Sequence, residues 1–186
     1  MITAPSGSGK TTLVKRLLAA CPHLEFSISA CTRNPRPGEV NGKDYYFYTE
    51  EEFKQLIEED AFAEWEMVYT GKYYGTLKSE LQRIWGGGKS PLVDIDVKGA
   101  LAIRDKFPND CKTIFIEAPS LDVLRERLMK RGTETEHSLL ERIHKAAEEL
   151  TFAPQFDMII VNEYLDVATR ELMHVVEEYT GCAPDS

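Results

Sequence analysis

A glycine-rich stretch close to the N-terminus reads Ala4-Pro5-Ser6-Gly7-Ser8-Gly9-Lys10-Thr11-Thr12. It differs from the phosphate-loop pattern G-x-x-x-x-G-K-[ST] only at the first position, where alanine replaces glycine. Glycines at these spacings let backbone N–H groups turn inward around an anion, and the following helix points its positive end at the same place. The alternative is a flexible glycine-serine turn before an ordinary helix, but the helical pattern that begins directly at Lys10 argues against it.

This stretch supplies the groups that a nucleoside triphosphate needs. Lys10 provides a mobile cation for the β- and γ-phosphates, and Thr11 offers a hydroxyl to Mg²⁺. A phosphate loop normally follows a buried strand of about five residues. Only Met1 to Thr3 precede it here, so we expect this sequence to contain only the end of that strand. We predict that the phosphates of a nucleotide bind to Pro5, Ser6, Gly7, Ser8, Gly9, Lys10, Thr11 and Thr12.

Length and composition limit the classes of protein that remain. The chain has 186 residues, of which 42% are hydrophobic and 28% are charged, and its formal net charge is −9. This length favours one domain, and the ordinary apolar fraction excludes a long disordered chain. The longest apolar run, Leu17 to Cys21, has five residues and is too short to span a membrane. The acidic balance argues against a general nucleic-acid binder.

The charge is distributed unevenly along the chain. Between Lys10 and Lys43, six basic and two acidic residues give a net charge of +4, whereas nine acidic residues and one basic residue give −8 between Asp44 and Glu66. The segment 125–149 holds six residues of each sign. Such segregation predicts separate functional zones. Four scattered cysteines without metal-binding or redox spacing, and no secretory leader, indicate a reduced cytoplasmic protein.

Strand-like and helix-like periodicities alternate along the chain, which indicates an α/β fold of the P-loop NTPase type with a parallel sheet and flanking helices. Thr49 and Glu52 have the spacing of a capping box, and Thr76 and Ser120 are predicted to cap later helices. The segment 45–74 has shorter strands and predicts a small mixed-β insertion. The predicted strands are 26–30, 45–48, 62–69, 91–95, 113–116 and 158–161.

A second group of informative residues follows the phosphate loop. Arg33 and Arg36 lie three positions apart in a loop that prolines and a glycine make stiff. Two planar guanidinium groups in such a loop favour a phosphate monoester as ligand. Further along, the sequence carries Glu64-Trp65, Tyr73-Tyr74-Gly75-Thr76 and Asp94-Ile95-Asp96.

Together these motifs resemble the guanylate kinase family. They span almost the whole chain in order, so the set is far more specific than any single motif. The resemblance implies an ATP:GMP phosphotransferase with a core domain at 1–32 and 77–186, a GMP-binding subdomain at 33–76 and a mobile helical lid at 125–149. The matching residues are the phosphate loop, Thr32-Arg33-Asn34-Pro35-Arg36, Gly38 to Tyr45, Glu64-Trp65, Tyr73-Tyr74-Gly75, Asp94-Ile95-Asp96, Arg131 to Glu136 and Val161-Asn162.

For GMP, the resemblance implies a phosphate site and a base site. Guanine presents two donors, N1–H and an amino group, that suit an acceptor-only carboxylate such as Glu64, while the hydroxyl of Ser29 or Thr76 can donate to O6. The alternative for Glu64 is a solvated charge on an exposed strand face. The implied phosphate ligands are Arg33, Arg36, Tyr45 and Tyr74, and the implied base ligands are Ser29, Glu64, Thr76 and Asp94.

For catalysis, the resemblance implies that arginines of the lid meet the phosphates of both nucleotides when the lid closes. The alternative for the charges of the lid is an exposed, salt-bridged helix pair. The implied catalytic residues are Lys10, Arg33, Arg127, Arg131 and Arg142.

The metal and the adenine also have implied positions. Thr11 and Asp96, the latter through water and alone or with Asp94, would hold Mg²⁺. Asn162, after the last predicted strand, would lie near the adenine of ATP. The alternative for Asn162 is a helix cap.

The expected reaction needs no general base. The second ionisation of a phosphate monoester lies near pH 6, so the acceptor oxygen of GMP is already anionic at pH 7. What remains is to align and neutralise two polyanions, and closure of the lid would exclude water. Two other functions are open: a non-catalytic guanylate-kinase-like module that binds phosphopeptides, and a kinase of another nucleoside monophosphate. ATP and GMP are the expected partners, without nucleic acid or membrane.

Overall fold

A computed structural model describes residues 1–130 and 136–182. The chain forms two compact units, one of which combines Met1–Pro22 with Ile95–Ser186, while the other is His23–Asp94. In chain order the elements are β1 (Ile2–Thr3), α1 (Lys10–Ala20), β2 (Leu24–Phe26), β3 (Ala30–Cys31), β4 (Tyr46–Phe47), α2 (Glu50–Glu58), β5 (Phe62–Tyr69), β6 (Lys72–Leu77), α3 (Lys78–Gly86), β7 (Ser90–Leu92), α4 (Val97–Lys106), β8 (Ile114–Glu117), α5 (Leu121–Lys130), α6 (Glu136–Leu150), a 3-10 turn (Ala153–Gln155), β9 (Met158–Val161) and α7 (Leu165–Thr180).

The first unit contains a parallel sheet in the order β1-β8-β9. Ile2 pairs with Ile114, and Ile114 pairs with Met158 on its other side. Parallel strands require crossover connections, and helices supply them here. The predicted α/β class with a parallel sheet is therefore confirmed.

The phosphate loop leaves the sheet directly from β1. Thr3 ends that strand, is buried, and donates its hydroxyl to the carbonyl of Ile95 at 3.0 Å. The N–H of Ile95 in turn donates to the carbonyl of Ile2 at 3.3 Å. These contacts fix the end of β1 where the loop begins, and α1 then starts at Lys10.

The second unit contains two smaller sheets. One is the parallel pair β2-β7, and the other is a mixed four-stranded sheet in the order β4-β3-β6-β5. The mixed sheet confirms the predicted insertion of short strands. Its core holds Phe53 and Phe62, whose rings stack with centroids 4.4 Å apart, together with Ala30 and Leu77. Full burial of a large apolar side chain stabilises a fold by about 1.5–3 kcal/mol, so Phe53 anchors α2 on the sheet.

Several predicted boundaries are confirmed. The strands at 62–69 and 158–161 have the predicted bounds. Thr49 caps α2 with a full capping box, since its hydroxyl accepts from Glu52 N–H and the Glu52 carboxylate accepts from Thr49 N–H. The hydroxyl of Ser120 accepts from Val123 N–H at the start of α5.

Two local predictions are wrong. The segment 26–30 does not form one strand, because β2 pairs with β7 whereas β3 pairs with β4 and β6. Thr76 does not cap α3, whose N-cap is Leu77 without a side-chain hydrogen bond. Instead Thr76 lies within β6, where its hydroxyl has a partner on the neighbouring strand.

The second unit extends further on both sides than the predicted subdomain at 33–76, since it begins at His23 and ends at Asp94. The predicted lid at 125–149 covers the end of α5 and most of α6, and its Arg131 lies outside the described residues. Leu124 and Leu128 of α5 form a buried cluster with Leu139 and Ala146 of α6. Within residues 1–130 and 136–182, no helix has both the length and the apolar character needed to cross a bilayer.

Candidate nucleotide-binding sites

The phosphate loop has the backbone conformation that anion binding requires. Gly7 and Gly9 have φ of 95° and 92°, in the left-handed region that favours glycine. Gly9 is also the N-cap of α1 and has no side chain to occupy the first backbone N–H groups of the helix. The N–H of Ser8 donates to the carbonyl of Pro5 at 3.1 Å, which closes the turn. The start of α1 can therefore receive an anion. The binding of ATP to residues 5–12 stays a prediction.

Asn162, which directly follows β9, contacts the phosphate loop. Its side chain is buried, and its Nδ2 donates to the carbonyl of Ser8 at 2.7 Å. The contact leaves no room at Gly9, where an added Cβ would lie 2.3 Å from Nδ2 of Asn162. The helix-cap alternative is wrong, because α7 begins at Leu165 with Tyr164 as its N-cap. Sequence reasoning missed this contact, and the predicted place near the adenine stays a prediction.

Two arginines that were predicted to belong to the lid lie near the phosphate loop: Arg142 contacts the loop itself, and Arg127 contacts Asn162. Nη1 of Arg142 donates to the hydroxyl of Ser6 at 3.1 Å, and Nη2 of Arg127 donates to the carbonyl of Asn162 at 2.9 Å. Among the described residues, three buried polar atoms have no hydrogen-bond partner: Nη1 of Arg127 and the hydroxyls of Ser8 and Ser27. Buried donors normally have acceptors, so the Arg127 and Ser8 groups at the loop are able to donate to phosphate oxygens.

A carboxylate that the sequence did not indicate lies beside the loop. Burial raises the pKa of Glu149 on α6, Lys145 and Lys10 oppose that rise, and Asp96 adds to it. The Nζ of Lys145 lies 3.9 Å from Oε1 of Glu149. In the sequence, Glu149 is one of many charges on an amphipathic helix, and nothing distinguishes it from its neighbours.

The residues present fit a nucleotide-bound Mg²⁺. Thr11 is exposed in the first turn of α1. Asp96 caps α4 by accepting from Gly99 N–H at 2.7 Å with Oδ1. In the described part of the chain, no group of three or more His, Cys, Asp or Glu side chains could hold a metal by itself. Mg²⁺ usually binds through one or two protein oxygens plus substrate phosphates, so a hydroxyl and a carboxylate suit it.

In the second unit, Arg33 gathers the residues predicted to hold a phosphate. Its guanidinium carbon lies 4.7 Å from the centre of the Tyr45 ring, and the Tyr45 and Tyr74 rings meet edge to face at 6.4 Å. Burial raises the pKa of both tyrosine hydroxyls, so they stay protonated donors at neutral pH. Arg36 is exposed in the same loop. The structure thus brings Arg33, Tyr45 and Tyr74 into one cluster.

Glu39, which sequence reasoning did not select, pairs with Arg33. Nη1 and Nη2 of Arg33 lie 2.6 and 2.7 Å from the two carboxylate oxygens. The N–H of Arg36 also donates to Oε2 of Glu39 at 2.7 Å. The hydrogen bonds from Arg33 and from Arg36 N–H lower the pKa of Glu39 to about 2, and the same pair raises the pKa of Arg33. In the sequence, the acidic Glu39 in the same turn as Arg33 and Arg36 was the signal that could have revealed this ion pair.

The predicted base ligands include a buried pair. Glu64 on β5 faces Thr76 on β6, and the Thr76 hydroxyl donates to Oε1 of Glu64 at 2.8 Å. Glu64 is only 8% exposed, so the alternative of a solvated charge is wrong. Ser29 is half-buried. The pKa of the Tyr45 hydroxyl is raised mainly by burial, and the nearby charge of Asp94 raises it further. Sequence reasoning missed the use of the Thr76 hydroxyl, which here serves Glu64.

The fold and the loop define the class of protein. The structure has the features of a P-loop protein of the nucleotide kinase type: a parallel sheet, a phosphate loop between β1 and α1, and a separate arginine-tyrosine cluster. The sequence model of the family described as guanylate kinase matches residues 1–179. The chain belongs to the guanylate kinase family.

Individual relatives are similar over nearly their full length. A guanylate kinase of Bacteroides fragilis is 41% identical over 97% of this chain and 89% of its own. One of Porphyromonas gingivalis is 43% identical over 96% of both chains. The crystal structure of guanylate kinase from Anaplasma phagocytophilum superposes with a TM-score of 0.75 at 29% identity, covering 95% of this chain and 82% of that one.

Proposed function

We propose that this chain transfers the γ-phosphoryl group of ATP to GMP, giving ADP and GDP. The observation that carries the proposal is that a chain of this family keeps both the Gly7, Gly9, Lys10 and Thr11 of a phosphate loop and the Arg33 cluster in its second unit. A module that only binds phosphopeptides has no use for the phosphate loop.

On the ATP side, the inward-turned loop from Pro5 to Thr12 binds the phosphates through its backbone N–H groups. Lys10 and Arg142 add positive charge, and the buried Nη1 of Arg127 supplies a donor that phosphate oxygens would satisfy. Thr11 and Asp96 would hold Mg²⁺, directly or through water. When bound, Mg²⁺ neutralises charge that builds up on the β- and γ-phosphate oxygens.

On the GMP side, we assign the phosphate to Arg33, Arg36, Tyr45 and Tyr74, within a GMP-binding region at 33–76. Guanidinium groups and protonated phenols are donors, which a phosphate monoester dianion needs. The base is assigned to Ser29, Glu64, Thr76 and Asp94. The Thr76 hydroxyl orients the Glu64 carboxylate, which then accepts from guanine N1–H and the exocyclic amino group.

The transfer itself consists of positioning and neutralisation. The GMP phosphate needs no base, since its second pKa lies near 6. Lys10, Arg33, Arg127, Arg131 and Arg142 reduce the repulsion between the two polyanions and stabilise the charge of the transferred group. We assign the segment 125–149 to a lid whose closure excludes water and so suppresses hydrolysis of ATP.

We also propose a cytoplasmic location. Cys21 and Cys31 are buried, and none of Cys21, Cys31, Cys111 and Cys182 is part of a disulfide. Cysteines that stay reduced in this number suit a reducing compartment.

The test is a substrate panel. The chain is incubated with MgATP and, in turn, GMP, AMP, dTMP, CMP or UMP, and the release of ADP is followed. We expect turnover with GMP above all others, and we expect Lys10→Ala to lose turnover while GMP still binds. The absence of turnover with any monophosphate would favour a binding module, and a preference for another base would overturn the guanine assignment.

A further inference from the structure

A buried carboxylate lies outside the residues assigned to either nucleotide. Glu80 is on α3, and its side chain is 1% exposed. An ionised carboxylate is costly to bury unless hydrogen bonds replace its water shell. The partners of Glu80 therefore indicate what the buried charge does.

Both oxygens of Glu80 accept two hydrogen bonds. Oε1 accepts from the N–H of Ile28 at 3.0 Å and from Nη2 of Arg83 at 2.9 Å. Oε2 accepts from the hydroxyl of Tyr46 at 2.9 Å and from Nε of Arg83 at 2.9 Å. The carboxylate thus joins α3 to the segment before β3 and to β4. We call Glu80, Arg83, Ile28 and Tyr46 the Glu80 network.

Each of the two outer partners precedes or follows a residue assigned to GMP. Ile28 precedes Ser29, which is assigned to the base, and Tyr46 follows Tyr45, which is assigned to the phosphate. The N–H of Tyr46 also donates to the carbonyl of Ser29 at 2.9 Å. Together with the hydrogen bonds of Glu80, this backbone bond closes a ring of contacts. Ser29 and Tyr45 therefore cannot move apart without breaking one of these hydrogen bonds.

The protonation states keep the ring intact at neutral pH. Burial acts to raise the pKa of Glu80, but the hydrogen bonds from Arg83, Ile28 N–H and Tyr46 outweigh it, and the pKa is lowered. Burial and the bond to Glu80 raise the pKa of Tyr46. The carboxylate therefore stays an acceptor, and the phenol stays a donor.

We propose that Glu80 is a positioning residue for GMP, which sets the spacing between the base-binding Ser29 and the phosphate-binding Tyr45. The inference rests on the proposed function. Glu80 is not among the residues assigned to ATP or GMP. It acts on the GMP site through the backbone of Ile28 and the side chain of Tyr46. A misplaced Ser29 or Tyr45 loses its hydrogen bond to GMP, and loss of one hydrogen bond to a charged group weakens binding by at least about tenfold.

The test is Glu80→Gln in the full chain, compared with wild type under saturating MgATP. The amide has the same shape but cannot accept all four hydrogen bonds. We expect the KM for GMP to rise by at least about tenfold, the effect of losing one hydrogen bond to a charged group. We expect kcat and the KM for ATP to stay within about twofold of wild type, since no residue of the phosphate loop belongs to the network. A fall in kcat together with a rise in the KM values for both ATP and GMP would mean a general structural role and would overturn the proposal.

Two further variants make the test specific. Tyr46→Phe removes one hydrogen bond and keeps the Glu80–Arg83 pair, so it decides the matter if Glu80→Gln does not fold. We expect it to raise the KM for GMP in the same direction. Glu25→Gln removes an outer partner of Arg83, 2.5 Å from its Nη1, and should leave the KM for GMP unchanged.

The outcomes separate this inference from the function on which it rests. If wild type phosphorylates GMP and both Glu80→Gln and Tyr46→Phe keep its KM, only the positioning role is overturned. If wild type binds GMP without turnover, the same comparison is made on the dissociation constant measured by calorimetry. If wild type neither binds nor phosphorylates GMP, the proposed function fails and this inference fails with it.

Discussion

Arg33 and Glu39 form a bidentate ion pair in which both terminal nitrogens of the guanidinium contact the carboxylate, at 2.6 and 2.7 Å. The pair is largely shielded, with side chains 11% and 18% exposed. The same guanidinium lies over the ring of Tyr45. Arg33 is thus held in one orientation before any phosphate arrives, and pre-organised groups bind with a smaller entropic penalty.

The first prediction concerns this pair. We expect Glu39→Gln to raise the KM for GMP several-fold and to leave the KM for ATP unchanged, because Arg33 loses one charge-assisted partner and with it its fixed orientation. Steady-state kinetics with each substrate varied provides the measurement. A lower KM for GMP would mean that Glu39 competes with the phosphate for Arg33.

The second prediction concerns acid stability. The pKa of Glu39 falls from 4.5 to about 2 on folding because Arg33 and the N–H of Arg36 donate to its carboxylate. Since the folded pKa is the lower one, the stabilisation is complete above about pH 4.5 and is lost as the pH falls toward 2. Urea unfolding of wild type and Glu39→Gln should therefore give free energies that converge below pH 4.5. A difference that is constant from pH 6 to pH 3 would rule out the depressed pKa.

The third prediction concerns Asn162. Truncation to alanine removes the donor to the buried carbonyl of Ser8 and should lower the free energy of unfolding by about 1–3 kcal/mol. We expect the KM for ATP to rise while the preference for ATP over GTP as donor is kept. Glu163→Ala, at the exposed next position, is the control. A stable variant that accepts GTP as readily as ATP would instead support a role for Asn162 at the adenine.

The fourth prediction concerns Gly9. An alanine there combines a φ of 92°, which costs about 1–2 kcal/mol for a residue with a Cβ, with a contact of 2.3 Å to Asn162. We expect Gly9→Ala to lose ATP binding. Gly88 has a φ of 72°, and within the described chain an added Cβ would have no neighbour within 4 Å. Gly88→Ala should show only the backbone cost in urea unfolding and keep full activity; equal losses in the two variants would refute the steric argument.

The fifth prediction concerns Glu64. Glu64→Gln places an amide where guanine requires an acceptor, and a lost hydrogen bond to a charged group costs about 1.5–3 kcal/mol. We expect GMP affinity in calorimetry to fall by roughly 10- to 150-fold. Glu66→Gln, two positions further along β5, serves as the control. If GMP affinity is the same in Glu64→Gln and wild type, Glu64 does not read the base.

Features fixed by near neighbours in the sequence could be predicted. The phosphate loop depends on glycines and a lysine within a few residues, and the capping box of Thr49 depends on Glu52. Strand β5 has apolar and polar residues in a pattern that fixes its bounds. In each case the decisive interactions lie within a few residues, so the sequence itself carries the signal.

Features fixed by distant partners could not be predicted. Asn162 donates to Ser8 across 154 positions, and Glu80 bonds Ile28 and Tyr46 across 52 and 34 positions. In the sequence, Glu80 and Arg83 look like an ordinary exposed helix pair. Thr76 was misplaced for the same reason, because its hydroxyl bonds Glu64 on the adjacent strand instead of the start of α3. Only the tertiary fold determines these roles.

Transfer of the γ-phosphoryl group can be followed with an isotopic label on the γ-phosphorus of ATP, which is incubated with GMP, Mg²⁺ and the protein. The proposed function predicts that the label appears in the β-position of GDP, with one GDP formed for each ADP. Label that is released as inorganic phosphate, or that stays in ATP while GMP remains bound, would contradict it.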